Sequence, residues 1–451
     1  MAGRIEDYAL IGDTHTGALV GSDGSIDWLC LPRFDSGAVF AALLGTADNG
    51  RWLLAPAGGV ERVERRYRDD TLVLETTFHT ETGVVRICDC MPIRRRTVDM
   101  VRVVEGVSGR VPMHMDLRIR FDYGSVLPWV VRRDGRLHAT AGPNAVVLST
   151  PATVEGAGES TVADFVVTES ERIPFVMTWY PSNEDAPRQS DGNRALSNTT
   201  TWWRRWSKQC TYQGEARDLV MRSLITLKAL TYAPTGGIAA APTTSLPEWI
   251  GSVRNWDYRY GWLRDSVLTL YALITAGYHE EAIAWRDWLL RAATGDPSKL
   301  QIMYGLAGER RLSEFELDWL PGYEGSAPVR VGNAASGQFQ LDVYGEVLGS
   351  LAFMRDSIAT PGAGDDESWA LEVALLEFLE GAWHQPDDGL WEMRGDRQHF
   401  TASKVMAWLA FASAVRSAER FRLPGPVDRW RANRDEIHAQ VCAEGFDPEL
   451  G

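Results

Sequence analysis

The chain lacks the marks of a protein that crosses a membrane, holds nucleic acid or depends on disulfides. Its 451 residues contain no long apolar run, and the start, Met-Ala-Gly-Arg-Ile-Glu-Asp-Tyr, has no apolar signal core. These absences exclude a membrane span and lead us to expect a cytoplasmic protein. Positive charge is in short supply. The 46 Lys and Arg stand against 61 Asp and Glu, a formal net charge of −15. Nucleic acid and anionic lipid are therefore not expected partners, whereas a neutral small molecule is compatible. Cysteine is scarce: Cys30, Cys88, Cys90, Cys210 and Cys442 form an odd set without framework spacing. Reduced thiols are expected. Cys88-Asp89-Cys90 lies in a period-2 pattern, so both thiols should face one side and serve packing. The 8 His show no spacing such as His-x-x-x-His, and Gly236-Gly237 lacks a phosphate-loop pattern. No metal, no cofactor and no nucleophile elbow are expected.

What remains is an ordinary globular composition with one excess. Hydrophobic residues make up 45% and charged residues 24%, which is usual for soluble domains. The length allows two or three domains. The excess is tryptophan, 18 residues, which suits either a large core or a carbohydrate cleft.

The hydrophobic pattern changes period along the chain. Residues 1–205 read as β. Leu72–Phe78 and Val84–Cys88 flank the turn Thr80-Glu81-Thr82-Gly83. Asp23-Gly24 separates Ala18–Ser22 from Ile26–Leu31 as a hairpin signal. Further strands are expected at Met113–Phe121, Ala145–Thr150, Phe165–Thr168 and Phe175–Tyr180, which together suggest a β-sandwich. Residues 206–451 read as helical, with apolar stripes at 215–231, from Asp265 to Gly277, and at 280–293, 337–354, 366–383, 401–418 and 427–443. Long connections at 232–256 and 295–336 are candidates to carry function.

Residues 254–265 read Arg-Asn-Trp-Asp-Tyr-Arg-Tyr-Gly-Trp-Leu-Arg-Asp. Trp256, Tyr258, Tyr260 and Trp262 offer flat apolar faces that suit the C–H faces of a sugar ring. Asp257 and Asp265 can accept hydrogen bonds from hydroxyls, and Arg259 and Arg264 can donate charge-assisted ones. The same alternation also describes a half-buried strand, so a purely structural segment stays open at this point.

The string Asp257-Tyr258-x-Tyr260-x-Trp262-x-Arg264-Asp265 resembles glycoside hydrolase family 15, which contains glucoamylases, glucodextranases and actinobacterial and archaeal trehalases. The resemblance implies that Arg264 and Asp265 hold glucose hydroxyls, with Tyr258 under the ring, Trp262 beside it and Trp256 nearby. The start of the chain, from Ile5-Glu6-Asp7-Tyr8 to Gly24-Ser25-Ile26-Asp27-Trp28-Leu29-Cys30-Leu31-Pro32-Arg33, resembles the family's trehalase-type N-terminal domain. The implied fold is a β-sandwich followed by an (α/α)6 toroid, incomplete at the C-terminus because family members usually continue beyond this point. The segment Pro242-Thr243-Thr244-Ser245-Leu246-Pro247-Glu248 resembles actinobacterial trehalases. Trehalose is therefore the first expected substrate, ahead of malto- or isomalto-oligosaccharides.

Glycoside hydrolysis normally needs two carboxyl groups. Glu324, in Gly322-Tyr323-Glu324-Gly325-Ser326, and Glu392, in Gly389-Leu390-Trp391-Glu392-Met393, are the candidate acids. Apolar cover from Trp391 and Met393 would keep Glu392 protonated. The resemblance favours Glu392, because the family's general acid lies in such a Gly-Leu-Trp-Glu motif, and Trp391, Lys404 and Arg330 join the expected contacts to the sugar. Ala327 stands where the family commonly has Arg. The family's inverting base lies near its C-terminus in a segment that has no counterpart in these residues. The alternative to an inverting α-glucosidase is thus a non-catalytic sugar-binding protein or an inactive fragment.

Overall fold

The computed structural model describes residues 3–94, 96–358, 365–391 and 394–446. The chain divides into two compact units. The first comprises Met1–Tyr232, Ala241–Arg259 and Phe315–Val331; the second comprises Ala233–Ala240, Tyr260–Glu314 and Gly332–Gly451.

The first unit is built on one long strand, Val98–Arg118. Its first half pairs antiparallel with Gly83–Cys90 and Arg172–Pro181. Its second half pairs with Arg51–Pro56 and Ser160–Thr168. The changeover falls at Gly106, where a Cβ would lie 1.9 Å from the Thr168 carbonyl oxygen, so only glycine fits. The two groups of strands share a single apolar core. Ile11, Trp52 and Met115 come from one side, and Phe78, Ile87, Val104 and Met177 from the other. This is the layered arrangement of a β-sandwich. Arg102 ties the layers together at full burial. It donates to Asp89 Oδ1 at 2.8 Å and to the carbonyls of Trp52 and Gly24 at 2.7 Å each.

The expected hairpin at Asp23-Gly24 is present as Gly17–Val20 and Ser25–Cys30, with Leu19 opposite Trp28. Cys88 and Cys90 pack among Val73, Val101, Val103 and Leu196. Burial pushes the Cys90 thiol up to about 12 and raises that of Cys88 as well, so both stay protonated packing groups.

One element departs from the β reading of residues 1–205. Helix α1 spans Gly192–Ser207, and Asp191 caps it by accepting from the Asn193 and Arg194 amides. Thr199, Thr200, Thr201 and three tryptophans, Trp202, Trp203 and Trp206, disguise it, because β-branched and aromatic residues are weak helix formers. Burial of Leu196, Trp203 and Trp206 overrides that propensity. Helix α2, Arg217–Ala229, completes this unit.

The second unit holds six helices among the described residues: α3 (Leu263–Thr275), α4 (His279–Ala292), α5 (Asp342–Ser357), α6 (Asp365–Ala382), α7 (Thr401–Phe421) and α8 (Val427–Glu444). Helix α5 packs between α3 and α7, while α4, α6 and α8 pack outside them. This inner and outer alternation is that of an α/α toroid. The seven apolar stripes of the sequence correspond to α2 through α8. No described helix is long and apolar enough to cross a membrane.

Candidate functional site

The expected sugar-binding residues fall in both units, and each unit organises its own set. In the first unit, Asn255–Asp257 forms a short strand against Thr244–Pro247. Trp256 is buried beneath two guanidinium groups, Arg330 at 4.6 Å and Arg254 at 5.9 Å from its ring centre. Arg330 also donates to the carbonyls of Val253 at 2.8 Å and Asn255 at 3.3 Å. These bonds make Arg330 a clamp on its own loop.

Asp257 needs a firmer correction. It is fully buried, and its carboxylate faces Arg259 through bonds of 2.9 Å and 2.7 Å. Arg259, also fully buried, donates onward to the Ser36 carbonyl at 2.9 Å. A ligand hydroxyl cannot reach this pair, so Asp257 is a structural anion. Tyr258, between these two, remains half-buried. Glu324 is exposed in a turn of this unit with φ +48°.

In the second unit, Trp262 is buried and its carbonyl accepts from Ser266 Oγ at 2.8 Å, which starts α3. The next turn presents Arg264 and Asp265. Arg264 is 21% exposed and holds three partners. Nη1 donates to Asp342 Oδ2 at 2.5 Å and to Gln340 Oε1 at 3.5 Å; Nη2 donates to the Leu390 carbonyl at 2.9 Å. Asp265 is exposed and free to meet a hydroxyl. Crowding still removes enough water to raise its carboxyl above the usual range, against the pull of Arg264.

The loop that carries Leu390 is fastened at several points. Asp387 Oδ2 accepts from the Leu341 amide at 2.9 Å and from Ser403 Oγ at 2.8 Å. Asp388 Oδ2 accepts from the Phe339 amide at 2.7 Å and from Arg397 Nε at 3.1 Å. Gly389 has φ +75°, and a Cβ there would meet the Phe400 ring at 2.6 Å, which accounts for glycine in the Gly-Leu-Trp-Glu motif. Trp391 was expected to give apolar cover, yet it is 72% exposed. An exposed indole face suits a sugar ring better than it suits a core. Glu392 and Met393 lie outside the described residues. Lys404 is nearly buried and donates to the carbonyls of Trp383 and Gln385, the latter at 3.1 Å. Burial lowers its pKa, with Asp387 opposing. Its ammonium therefore braces the base of this loop.

Glu346 joins this cluster without a sequence motif to mark it. It stands one turn after Asp342 on α5, and only its i, i+4 spacing from Asp342 could have pointed to it. Burial and then the Asp342 charge push its carboxyl up to about 7, with Arg264 opposing and Asp265 adding. Asp342 is raised too, mainly by burial. A raised carboxyl means that the fold holds a proton which the unfolded chain has already lost. The stability tied to Glu346 is thus fully present below its ordinary value of 4.5 and is lost as pH rises through about 7. Glu346→Gln should therefore melt like the parent near pH 4.5 and above it at pH 8. Partial solvent access reduces the expected gain to about 1–2 kcal/mol. Calorimetry across this range checks it, and a difference independent of pH would contradict the assignment.

Among the described residues, no group of three or more His, Cys, Asp or Glu side chains could hold a metal. The second-unit cluster instead offers a fixed guanidinium, an exposed carboxylate and an exposed indole, a set that suits a neutral polyhydroxylated ligand.

Comparison with known proteins agrees with this class of fold. A bacterial glucoamylase solved with acarbose superimposes with a TM-score of 0.69 at 13% identity, over 97% of this chain and 66% of that one. At that identity the likeness speaks for the fold alone. Residues 214–451 match the model for glycosyl hydrolases family 15, and residues 1–203 match that for the trehalase-like N-terminal domain. The trehalase of Mycolicibacterium smegmatis is 36% identical over 98% of this chain and 70% of its own length. That of Thermoplasma acidophilum is 34% identical over 96% and 74%. The chain belongs to glycosyl hydrolases family 15.

Proposed function

We propose that the protein hydrolyses α-glucosidic bonds in the cytoplasm and releases glucose, with trehalose as its preferred substrate and inversion at the anomeric carbon. The observation that carries this reading is the Arg264 bridge. One guanidinium is fixed on Asp342 and on the Leu390 carbonyl, two residues before Glu392 in sequence. In this reading one anchor serves both sugar recognition and the segment that leads into the motif of the proton donor. The trehalase relatives, similar over nearly the whole chain, support the choice of substrate.

In this reading Arg264 and Asp265 hold hydroxyls of the terminal glucose, and Trp391 offers its face to a sugar ring. Glu392 protonates the glycosidic oxygen. Water then attacks the opposite face of the sugar, as inversion requires.

Proton NMR during early turnover of trehalose tests the reaction and its stereochemistry together. β-Glucose should appear alongside α-glucose from the first points, one anomer from each half of the disaccharide. Release of α-glucose alone would refute inversion. Arg264→Ala and Asp265→Asn should each weaken sugar binding by about 1.5–3 kcal/mol, the worth of a charge-assisted hydrogen bond. Thermal protection by glucose measures this. Undiminished protection in both variants would place the sugar elsewhere.

A further inference from the structure

The carboxyl pair on α5 has a feature that sugar contact does not explain. Asp342 spends Oδ2 on Arg264, but its Oδ1 is buried without a hydrogen-bond partner, in a side chain only 2% exposed. An unmet carboxylate oxygen in that setting is costly unless a donor lies close by. Of the nearby backbone donors, the Phe339 and Leu341 amides serve Asp388 and Asp387, and the Asp342 amide bears on its own carboxylate without closing a hydrogen bond to Oδ1. Glu346, one helical turn on, is the neighbour that can supply a proton, since residues four apart share a helix face. The charged groups bearing on Glu346 are Asp342 on its own helix and Arg264 and Asp265 on α3. Tyr271 of α3 also feels Glu346, and Arg416 of α7 acts on that tyrosine.

We propose that Glu346 is a positioning residue for Arg264: its protonated carboxyl donates to the free Oδ1 of Asp342, and the pair shares one proton that holds the guanidinium in its sugar-facing pose. No covalent bond between heavy atoms is made or broken. When Glu346 loses its proton, Asp342 Oδ1 loses its donor and two anions compete for Arg264. Sugar affinity then falls. Burial and the Asp342 charge raise the Glu346 carboxyl to about 7, so this exchange is expected near neutral pH. The functional half of the inference rests on the sugar reading of Arg264; the proton sharing does not.

The test uses the whole chain with glutamate labelled at the side-chain carboxyl by carbon-13. One resonance should titrate near neutral pH and disappear in Glu346→Gln. In Asp342→Asn it should move toward the ordinary glutamate range, because the acceptor anion is gone. A midpoint unaffected by Asp342→Asn would overturn the proton sharing. Glucose titrations at pH 6 and pH 8 then read the functional half. Wild-type affinity should drop by about fivefold between these pH values, as expected for a one-unit displacement of the Glu346 midpoint by bound sugar. Glu346→Gln should show no such drop. An equal pH dependence in both proteins would overturn the positioning role. A wild type that binds no glucose at either pH would remove the sugar reading and the functional half with it, while the carboxyl resonance still decides the proton sharing.

Discussion

Arg259→Met should cost the first unit about 3–5 kcal/mol, because it strands the Asp257 carboxylate as a buried charge. Both residues are fully buried, and the bonds between them come from Nε and Nη2 of a single side chain. The loss reaches further than the pair. Arg259 Nη1 also bonds the Ser36 carbonyl, so the loop after Ser25–Cys30 loses a donor as well. Urea denaturation followed by tryptophan fluorescence measures the effect. Adding Asp257→Asn should restore part of the loss, since no buried charge then remains. A single variant within 1 kcal/mol of the parent would show that water or another cation reaches Asp257.

Glu392→Gln should lower trehalose hydrolysis by about 10²–10⁴-fold, the usual worth of a general acid. Glutamine keeps the shape and loses the proton, so thermal protection by glucose should survive. Glu324→Gln serves as the counterpart. Glu324 sits exposed in a turn of the first unit, and its replacement should leave the rate near that of the parent. The reverse pattern would move the acid to Glu324 and detach the Arg264 bridge from catalysis.

The sequence identified elements wherever one periodicity ran without interruption. Helices α2 to α8 show apolar residues at helical spacing, and the Asp23-Gly24 hairpin shows alternation around a turn. It is silent on the first half of Val98–Arg118, where pairing with two groups of strands makes one continuous element of a run punctuated by Gly106 and Gly109. In the 254–265 segment, residue type suggested sugar chemistry and could not separate the faces of a short strand. Asp257 and Arg259 carry the same charges as Asp265 and Arg264. What sends the first pair into the core is a carbonyl of the distant Ser36 loop, a contact that no local pattern encodes. Arg330 and Lys404 were likewise read as reaching outward, while backbone carbonyls far along the chain claim them. Glu346 escaped notice because a lone helical glutamate usually faces solvent; only the tertiary placement of Asp342 and Arg264 beside it makes it unusual.

A single run of backbone, Val98–Arg118, belongs to both strand groups of the first unit. Neither group can open at its centre without breaking the ladder of the other. Arg102 adds a second seam, since releasing it from Asp89 also frees carbonyls on the opposite layer. Local breathing is thus confined to the outer strands, and the middle of the sandwich either stays shut or melts as one. Stiffness of this kind lets surface loops of the unit vary in sequence while their anchoring frame stays fixed.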